Sequence, residues 1–243
     1  MNIHIKYMKR CIELATRGIR NTYPNPMVGC VIVHNNKIIG EGYHEAYGSN
    51  HAEVNAINSV INQDLLSMST LYVNLEPCNH FGKTPPCTKL IIDKGIKNVI
   101  IGSRDPNSLV KGGGINTLIS SGCNVEHGIM KDKCDKLNKR FFTFHNQRRP
   151  YVILKWAESK DGFISPRKSD RNEQDIFWIS NEQSKKMSHY FRSQEHSILV
   201  GVQTVIDDDP ELTTRLVDGK NPIRIVLDPN NRIPNNSKVL STE

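Results

Sequence analysis

Strand-like and helix-like patterns alternate along the first 145 residues. Apolar side chains at helical spacing predict a first helix over Ile5–Arg20. Two apolar runs then predict a hairpin, with strands over Val28–Val33 and Lys37–Tyr43 joined by the turn His34–Asn36. The remaining elements alternate in type and are predicted as a helix over His51–Ile61, a strand over Thr70–Leu75, a helix over Thr88–Lys94, a strand over Asn98–Ser103, a helix over Gly114–Gly122 and a strand over Cys123–Ile129. This order predicts an α/β fold with a mainly parallel sheet covered by helices on both faces.

The pattern changes after the basic, helix-like segment Lys131–His145. The polar run Asn146–Pro150 ends in a proline and predicts a linker between a domain of residues 1–145 and a second domain of residues 151–243. Beyond it, further α/β elements are predicted, namely strands over Tyr151–Ala157, His196–Gly201 and Pro222–Asp228 and a helix over Ile179–Ser193 capped by Ser180. The sequence therefore predicts two α/β domains.

Composition and charge narrow the class of protein. No stretch approaches the roughly 20 apolar residues that a membrane span needs, and charges interrupt the N-terminal segment where a signal peptide would be apolar. We therefore expect a cytoplasmic protein with no membrane partner. The net charge of +7 raises nucleic acid as a partner, but Lys and Arg are scattered and aromatic residues make up only 7% of the chain. We expect no nucleic-acid surface, because anionic small substrates suit this charge as well.

Cys78 and Cys87 stand apart among the six cysteines, because each follows a proline in a loop, whereas Cys11 and Cys30 lie in apolar segments typical of a core. His51 and Glu53 open a predicted helix upstream. One His and two Cys suit tetrahedral zinc and leave the fourth position open, as in catalytic sites. Glu53 is then a candidate general acid/base near the metal. Taken singly, each of these residues has an ordinary structural explanation, but the combination indicates a catalytic zinc site.

The pattern H-x-E followed by P-C is the signature of zinc nucleobase deaminases. Their second cysteine usually follows in P-C-x-x-C, whereas eight residues separate Cys78 from Cys87 here. The segment EPCNHFGKTPPC resembles the deaminase half of the bifunctional riboflavin-biosynthesis deaminase/reductase family, as do Pro24–Val33, Gly40–Ile57 and Asp105–Ile115. The resemblance covers nearly all of residues 6–145. It implies a cytidine-deaminase-like fold with three layers. We also expect the protein to form a homo-oligomer.

The resemblance also implies a substrate and residue roles. The substrate is a diaminopyrimidinone that carries a phosphoribosylamino group, and deamination gives the corresponding uracil and ammonia. Glu53 transfers the protons, and Asn25 and His44 match positions that line the pocket. His80 and Lys83, between the two cysteines, are our own candidates for contact with the ribose phosphate, although Lys83 equally suits a solvated loop. The triple glycine Gly112–Gly114 is interpreted as a helix-entry turn rather than a phosphate loop.

Residues 151–243 resemble the first part of the reductase half of the same family, whose fold is like that of dihydrofolate reductase. The resemblance rests on Arg149–Gly162 and Trp178–Arg215 and implies NADPH as cofactor. The residues that it implies for NADPH contact are Ala157, Trp178, Thr204 and Asp208. Those that it implies for the phosphoribosyl substrate are Arg192, Leu212 and Arg215. The planar guanidinium of Arg215 suits a phosphate group.

The second half departs from the family in several places. Lys160 replaces an apolar residue, Ile176 replaces a substrate-binding serine, and Ser165–Asp175 is longer and more polar than usual. The family also continues well beyond residue 243, so the reductase fold is expected to be incomplete and reduction by this chain alone weak or absent. Three alternatives stay open: a deaminase whose reductase half is non-functional, a tRNA-adenosine or nucleobase deaminase, and a non-enzymatic scaffold.

Overall fold

The structure, a computed structural model, describes residues 3–81, 85–107, 112–166 and 178–241. The chain divides into two units, of which the first ends at Val152 and the second begins at Ile153. A helix continues through Gln147, and the division falls just beyond the predicted linker Asn146–Pro150. Within the described residues, no helix is both long and apolar enough to cross a membrane.

Helices and strands alternate through the described part of the first unit. In chain order they are α1 (Ile3–Thr16), β1 (Gly29–His34), β2 (Lys37–Tyr43), α2 (Ala52–Asn58), β3 (Thr70–Leu75), α3 (Cys87–Asp93), β4 (Asn98–Ser103), α4 (Gly113–Ser120), β5 (Asn124–His127), α5 (Lys131–Leu137) and α6 (Lys139–Gln147). The predicted bounds of β2, β3 and β4 are confirmed, and the other predicted elements of residues 1–130 are found with shifted ends. Gly95 and Gly122, which follow α3 and α4, have φ angles of 72° and 81°, as is common for glycine after a helix.

The five strands form one sheet in the order β2-β1-β3-β4-β5. The pairs β3–β4 and β4–β5 are parallel, whereas β1 is antiparallel to both β2 and β3, so the prediction of a mainly parallel sheet is wrong. The physical reason is the hairpin, because the positive φ angles of Asn35 and Asn36 make a tight turn that returns β2 along β1. The connection β2-α2-β3 is still a crossover, with β1 between its two strands.

Apolar side chains are buried on both faces of this sheet. Successive residues of β1 point to opposite faces, so that Ile32 packs with the cluster that includes α2, α3 and α4, and Val31 packs with the cluster that includes α1. Helices therefore cover both faces of the sheet, which confirms the predicted α/β fold with three layers.

The helix-like segment Lys131–His145 is helical, as predicted, and is divided into the two helices α5 and α6. The break lies at Asn138, which is 3% exposed. Its side chain accepts a hydrogen bond from the backbone N–H of Met27 at 2.8 Å and donates one to the Met27 carbonyl at 2.9 Å. A contact between residues so far apart in sequence leaves no local signal in the apolar pattern.

The second unit is built around a smaller sheet. Its described elements are α7 (Glu182–Gln194), β6 (Ser197–Gly201), α8 (Val202–Asp208) and β7 (Ile223–Leu227), with β6 and β7 parallel. Asn181, not Ser180, caps α7, because its side chain accepts the Ser184 N–H at 2.9 Å. The second unit is therefore also α/β, as predicted.

The predicted strand Tyr151–Ala157 is not found. Its apolar side chains are exposed, with Leu154 at 77% and Trp156 at 63%, and neither β6 nor β7 pairs with it in the described structure. An apolar run needs a hydrogen-bonded neighbour to become a strand. Ile176 and most of Ser165–Asp175 lie outside the described residues.

Candidate active site

Three side chains of the first unit converge where three elements begin or end. His51 directly precedes α2, Cys78 follows the end of β3, and Cys87 is the first residue of α3. The Nδ1 atom of His51 lies 3.2 Å from Cys87 Sγ and 3.4 Å from Cys78 Sγ. The backbone N–H of Cys87 donates to Cys78 Sγ at 3.3 Å, so the start of α3 also faces this sulfur. In the described part of the chain, this is the one group of His, Cys, Asp or Glu residues close enough to hold a metal.

The spacing of these atoms fits zinc. A tetrahedral zinc ion with bonds of about 2.0 Å to nitrogen and 2.3 Å to sulfur would place the nitrogen and the sulfur about 3.5 Å apart. The distances from His51 Nδ1 to the two sulfur atoms are 3.2 Å and 3.4 Å, close to this value. The hydrogen bond with the Cys87 thiol lowers the pKa of Cys78, and the hydrogen bond with Cys78 raises the pKa of His51 to about 9. The protein thus favours a thiolate at this position, and thiolate is the form of cysteine that binds metals.

Glu53 lies in the first turn of α2, two residues after His51, and is 3% exposed. Burial raises the pKa of its carboxyl group, while the charge of nearby His51 opposes this shift. A carboxyl group with a raised pKa beside a metal site is suited to accept and return protons near neutral pH.

Asn25 and His44 lie beside His51. The His44 Nδ1–H donates to the Asn50 carbonyl at 2.9 Å, so its Nε2 accepts the hydrogen bond from Asn25 Nδ2 at 3.1 Å. Burial lowers the pKa of His44, which favours this neutral ring. Its ring meets that of His51 edge-on, with 5.6 Å between the centroids. The structure therefore brings both predicted pocket residues to the candidate metal ligands.

Of the two candidates for phosphate contact, the structure describes only His80. His80 is exposed after Cys78, and Lys83 lies outside the described residues. Their roles stay predictions.

Sequence reasoning missed three residues that hold the backbone near the site, namely Asn74, Asn138 and Glu76. Asn74, on β3, accepts the Gly29 N–H at 2.7 Å and donates to the Met27 carbonyl at 3.1 Å. Together with Asn138 it fixes the turn that carries Asn25. The third, Glu76, is a buried carboxylate just before the P-C dipeptide. Only Glu76 had a sequence signal, which is its place in the E-P-C motif, since single asparagines carry none.

In the second unit, the structure groups the residues predicted for the phosphoribosyl substrate. Arg192 Nη1 donates to the Thr213 carbonyl at 3.1 Å, and the Arg215 backbone N–H donates to His189 Nδ1 at 3.0 Å. Burial, and then the charge of Arg215, lower the pKa of Arg192. Leu212 lies buried in the same turn.

The residues predicted for NADPH contact are more dispersed. Thr204 and Asp208 are exposed on α8, one turn apart, and Ala157 lies in the irregular segment that follows Val152. Trp178 is 59% exposed, and the Nζ atom of Lys185 lies 3.5 Å from the centroid of its ring. No described contact joins these residues into a pocket.

The fold and the candidate metal ligands indicate a zinc-binding domain of the cytidine deaminase class. Residues 1–103 match the family described as the cytidine and deoxycytidylate deaminase zinc-binding region, and residues 150–243 match the RibD C-terminal domain. The riboflavin biosynthesis protein RibD of Aquifex aeolicus is 44% identical over 238 residues, which are 98% of this chain and 65% of that protein. The diaminohydroxyphosphoribosylamino-pyrimidine deaminase of Buchnera aphidicola (subsp. Schizaphis graminum) is 54% identical over 136 residues, 56% of this chain and 91% of that protein.

A solved structure is similar across both units. It is the diaminohydroxyphosphoribosylaminopyrimidine deaminase/5-amino-6-(5-phosphoribosylamino)uracil reductase of Thermotoga maritima, with 41% identity, a TM-score of 0.87, and coverage of 98% of this chain and 66% of that one. The chain belongs to the RibD family of riboflavin biosynthesis proteins. It spans less than two thirds of the length of relatives such as the Aquifex protein. Zinc is the metal of its first unit.

Proposed function

We propose that the first unit deaminates a diaminopyrimidinone that carries a phosphoribosylamino group, a step of riboflavin biosynthesis. The observation that carries this proposal is the convergence of His51, Cys78 and Cys87 beside the buried carboxyl group of Glu53. The names of the Buchnera and Thermotoga relatives support the choice of substrate.

The reaction exchanges the ring amino group for oxygen, so that substrate and water give the uracil product and ammonia. His51, Cys78 and Cys87 would hold the zinc, which would supply a water acidified to near neutral pH, the chemistry of three-ligand sites. Glu53 accepts one proton from this water and delivers it to the ring nitrogen, and then transfers the second water proton to the departing amine. Both ring nitrogens of His44 form hydrogen bonds with other residues of the protein. Its role is therefore to orient the Asn25 side chain toward the substrate.

The experiment is to incubate the zinc-loaded chain with the pyrimidinone ribotide and to follow ammonia release. Cytidine, guanine and a tRNA anticodon stem-loop serve as competing substrates. We expect release only with the ribotide, because the long loop between Cys78 and Cys87 sets this chain apart from deaminases with P-C-x-x-C. Equal rates with cytidine or tRNA would favour the nucleobase or tRNA-adenosine alternative. A raised KM in His80→Ala and Lys83→Ala would support their predicted contact with the phosphate.

We also propose that residues 150–243 serve the NADPH-dependent reduction of the ribosyl group that follows deamination. The match to the RibD C-terminal domain supports this, as do the hydrogen bonds that hold Arg192 and Arg215 at one turn. The alternative of a non-functional reductase half is not favoured by that match. The test is NADPH oxidation that depends on the deaminated ribotide, with Arg215→Gln expected to raise the KM for the ribotide.

A homo-oligomeric state and a cytoplasmic location stay proposals from the sequence. Light scattering coupled to size exclusion tests the first, because a homo-oligomer has a mass that is a multiple of 27.6 kDa.

A further inference from the structure

Glu76 follows β3 and is 4% exposed, yet no ion pair between described residues includes it. Its carboxylate instead accepts three backbone N–H groups. Oε2 accepts from Asp105 at 3.1 Å and from Gly112 at 3.2 Å, and Oε1 accepts from Ile115 at 3.1 Å. A buried charge is tolerated when hydrogen bonds replace its water, and these three donors meet that need.

Two of the three donors, Gly112 and Ile115, lie just before α4 and in its first turn, whereas Asp105 follows the end of β4. The N–H groups at the start of a helix have no partner within the helix and attract anions. Here the anion is the protein's own carboxylate, which ties the end of β3 to the start of α4. The triple glycine is thus a helix-entry turn, as predicted, and Gly112 has a φ angle of 74°.

The same contact reaches the segment that carries Cys78. A Cβ atom on Gly114 would lie only 2.1 Å from the carbonyl oxygen of Pro77, so the start of α4 presses directly against the residue before Cys78. On the other side, the Glu76 N–H donates to the Ser103 carbonyl at 2.9 Å. The two residues before the ligand are therefore held by α4 and by the end of β4.

We propose that Glu76 is a positioning residue for the metal centre, because its carboxylate holds the Glu76–Cys78 segment against α4 and keeps the Cys78 sulfur at the ligand position. The inference rests on the proposed role of Cys78 as a zinc ligand and deepens it. Glu76 is not one of the three candidate ligands. It acts through the backbone that carries Cys78.

The test is the zinc affinity of Glu76→Gln, measured by competition with a chelating dye in the absence of substrate. Glutamine has nearly the same size but presents an N–H₂ group to donors, so at least one of the three hydrogen bonds is lost. We expect zinc binding to weaken about 10- to 100-fold, the range found when groups that orient a metal ligand are removed. The spectrum of the cobalt-substituted protein should change as well, since it reports the thiolate geometry directly.

Two controls separate positioning from a general loss of stability. Val31→Ala removes core volume on the opposite face of the sheet and should lower the Tm without changing zinc affinity. Glu126→Gln removes a carboxylate from the exposed strand β5 and should change neither. Parent-like zinc affinity and cobalt spectrum in Glu76→Gln, or an equal loss of affinity in Val31→Ala, would overturn the inference. A parent protein that binds zinc but does not release ammonia from the ribotide would count against the proposed function instead.

Discussion

Ile101 and Leu227 are both apolar residues on parallel strands, but Ile101 in the first unit is fully buried and Leu227 in the second is 57% exposed. In the first unit, helices cover both faces of the sheet. In the second, the buried cluster of Val205, Leu212 and Val239 lies on one face of β6 and β7, and alternate strand residues such as Leu199 stay exposed.

The candidate sites of the two units differ in the same way. The candidate metal ligands of the first unit lie at the ends of elements that a core holds on both sides, and their nitrogen and sulfur atoms meet within hydrogen-bonding distance. Among the candidate residues that the structure describes in the second unit, Arg192 and Arg215 are held by hydrogen bonds to neighbouring residues. Thr204 and Trp178 are exposed. A site is therefore assembled to the extent that the elements carrying it are packed.

The largest expected effect is the loss of the metal in Cys87→Ala. Two protein ligands hold zinc poorly, so we expect zinc content to fall from one ion per chain to nearly none and ammonia release to stop. Atomic absorption on the purified variant measures this. Cys123→Ala is the matched control, because Cys123 is also a buried free cysteine but lies outside the site. One zinc per chain in Cys87→Ala would remove Cys87 from the ligand set.

Glu53→Gln should separate metal binding from proton transfer. The ligands are intact, so zinc content should stay at the parent value, while turnover should fall about 10²- to 10⁴-fold without the carboxyl group. Steady-state ammonia release measures the loss. Glu13→Gln, which alters only a surface ion pair with Arg10, should retain full activity. Parent-like turnover in Glu53→Gln would exclude Glu53 from the mechanism.

The difference in packing between the two units can be tested by shortening one apolar side chain in each unit. Ile101→Ala should lower the free energy of unfolding of the first unit by about 2–5 kcal/mol, whereas Leu227→Ala should change that of the second by less than about 0.5 kcal/mol. Both tryptophans, Trp156 and Trp178, lie in the second unit, so their fluorescence follows its unfolding in urea while zinc release follows the first. Equal losses for the two variants would contradict the comparison.

The smallest expected effect is a pH dependence of the second unit. Burial lowers the pKa of His189, whose Nδ1 accepts the Arg215 N–H, whereas the unfolded chain has the ordinary pKa of about 6.5. Below that pH the unfolded state binds a proton that the folded state does not, so stability present at pH 7.5 is lost on acidification. The urea midpoint of tryptophan fluorescence should fall between pH 7.5 and 5.5, and by less in His189→Gln. The same pH shift in His189→Gln as in the parent would assign the effect to other groups.

Sequence reasoning succeeded where the signal is local. The apolar alternation of β3 and β4 and the residue types around Cys78 and Cys87 are local, and the structure agrees with them. Sequence reasoning failed where the local structure depends on contacts with residues that are far away in the sequence. The helix-like pattern over Lys131–His145 does not show that Asn138 separates two helices and binds Met27. Tyr151–Ala157 is not a strand, because an apolar run alone does not provide a neighbouring strand. The position of β1 between β2 and β3 likewise depends on pairing across the sheet.

The contact between Asn138 and Met27 sets a lower limit on the size of an independent catalytic domain. The matched zinc-binding region ends at residue 103, and a protein cut there would contain all three candidate ligands. It would lack β5 and the side chain that fixes the Asn25 turn. A shortened protein made for drug screening or for fusion to another enzyme should therefore extend through α6, since the part that completes the pocket is far from the residues that define it.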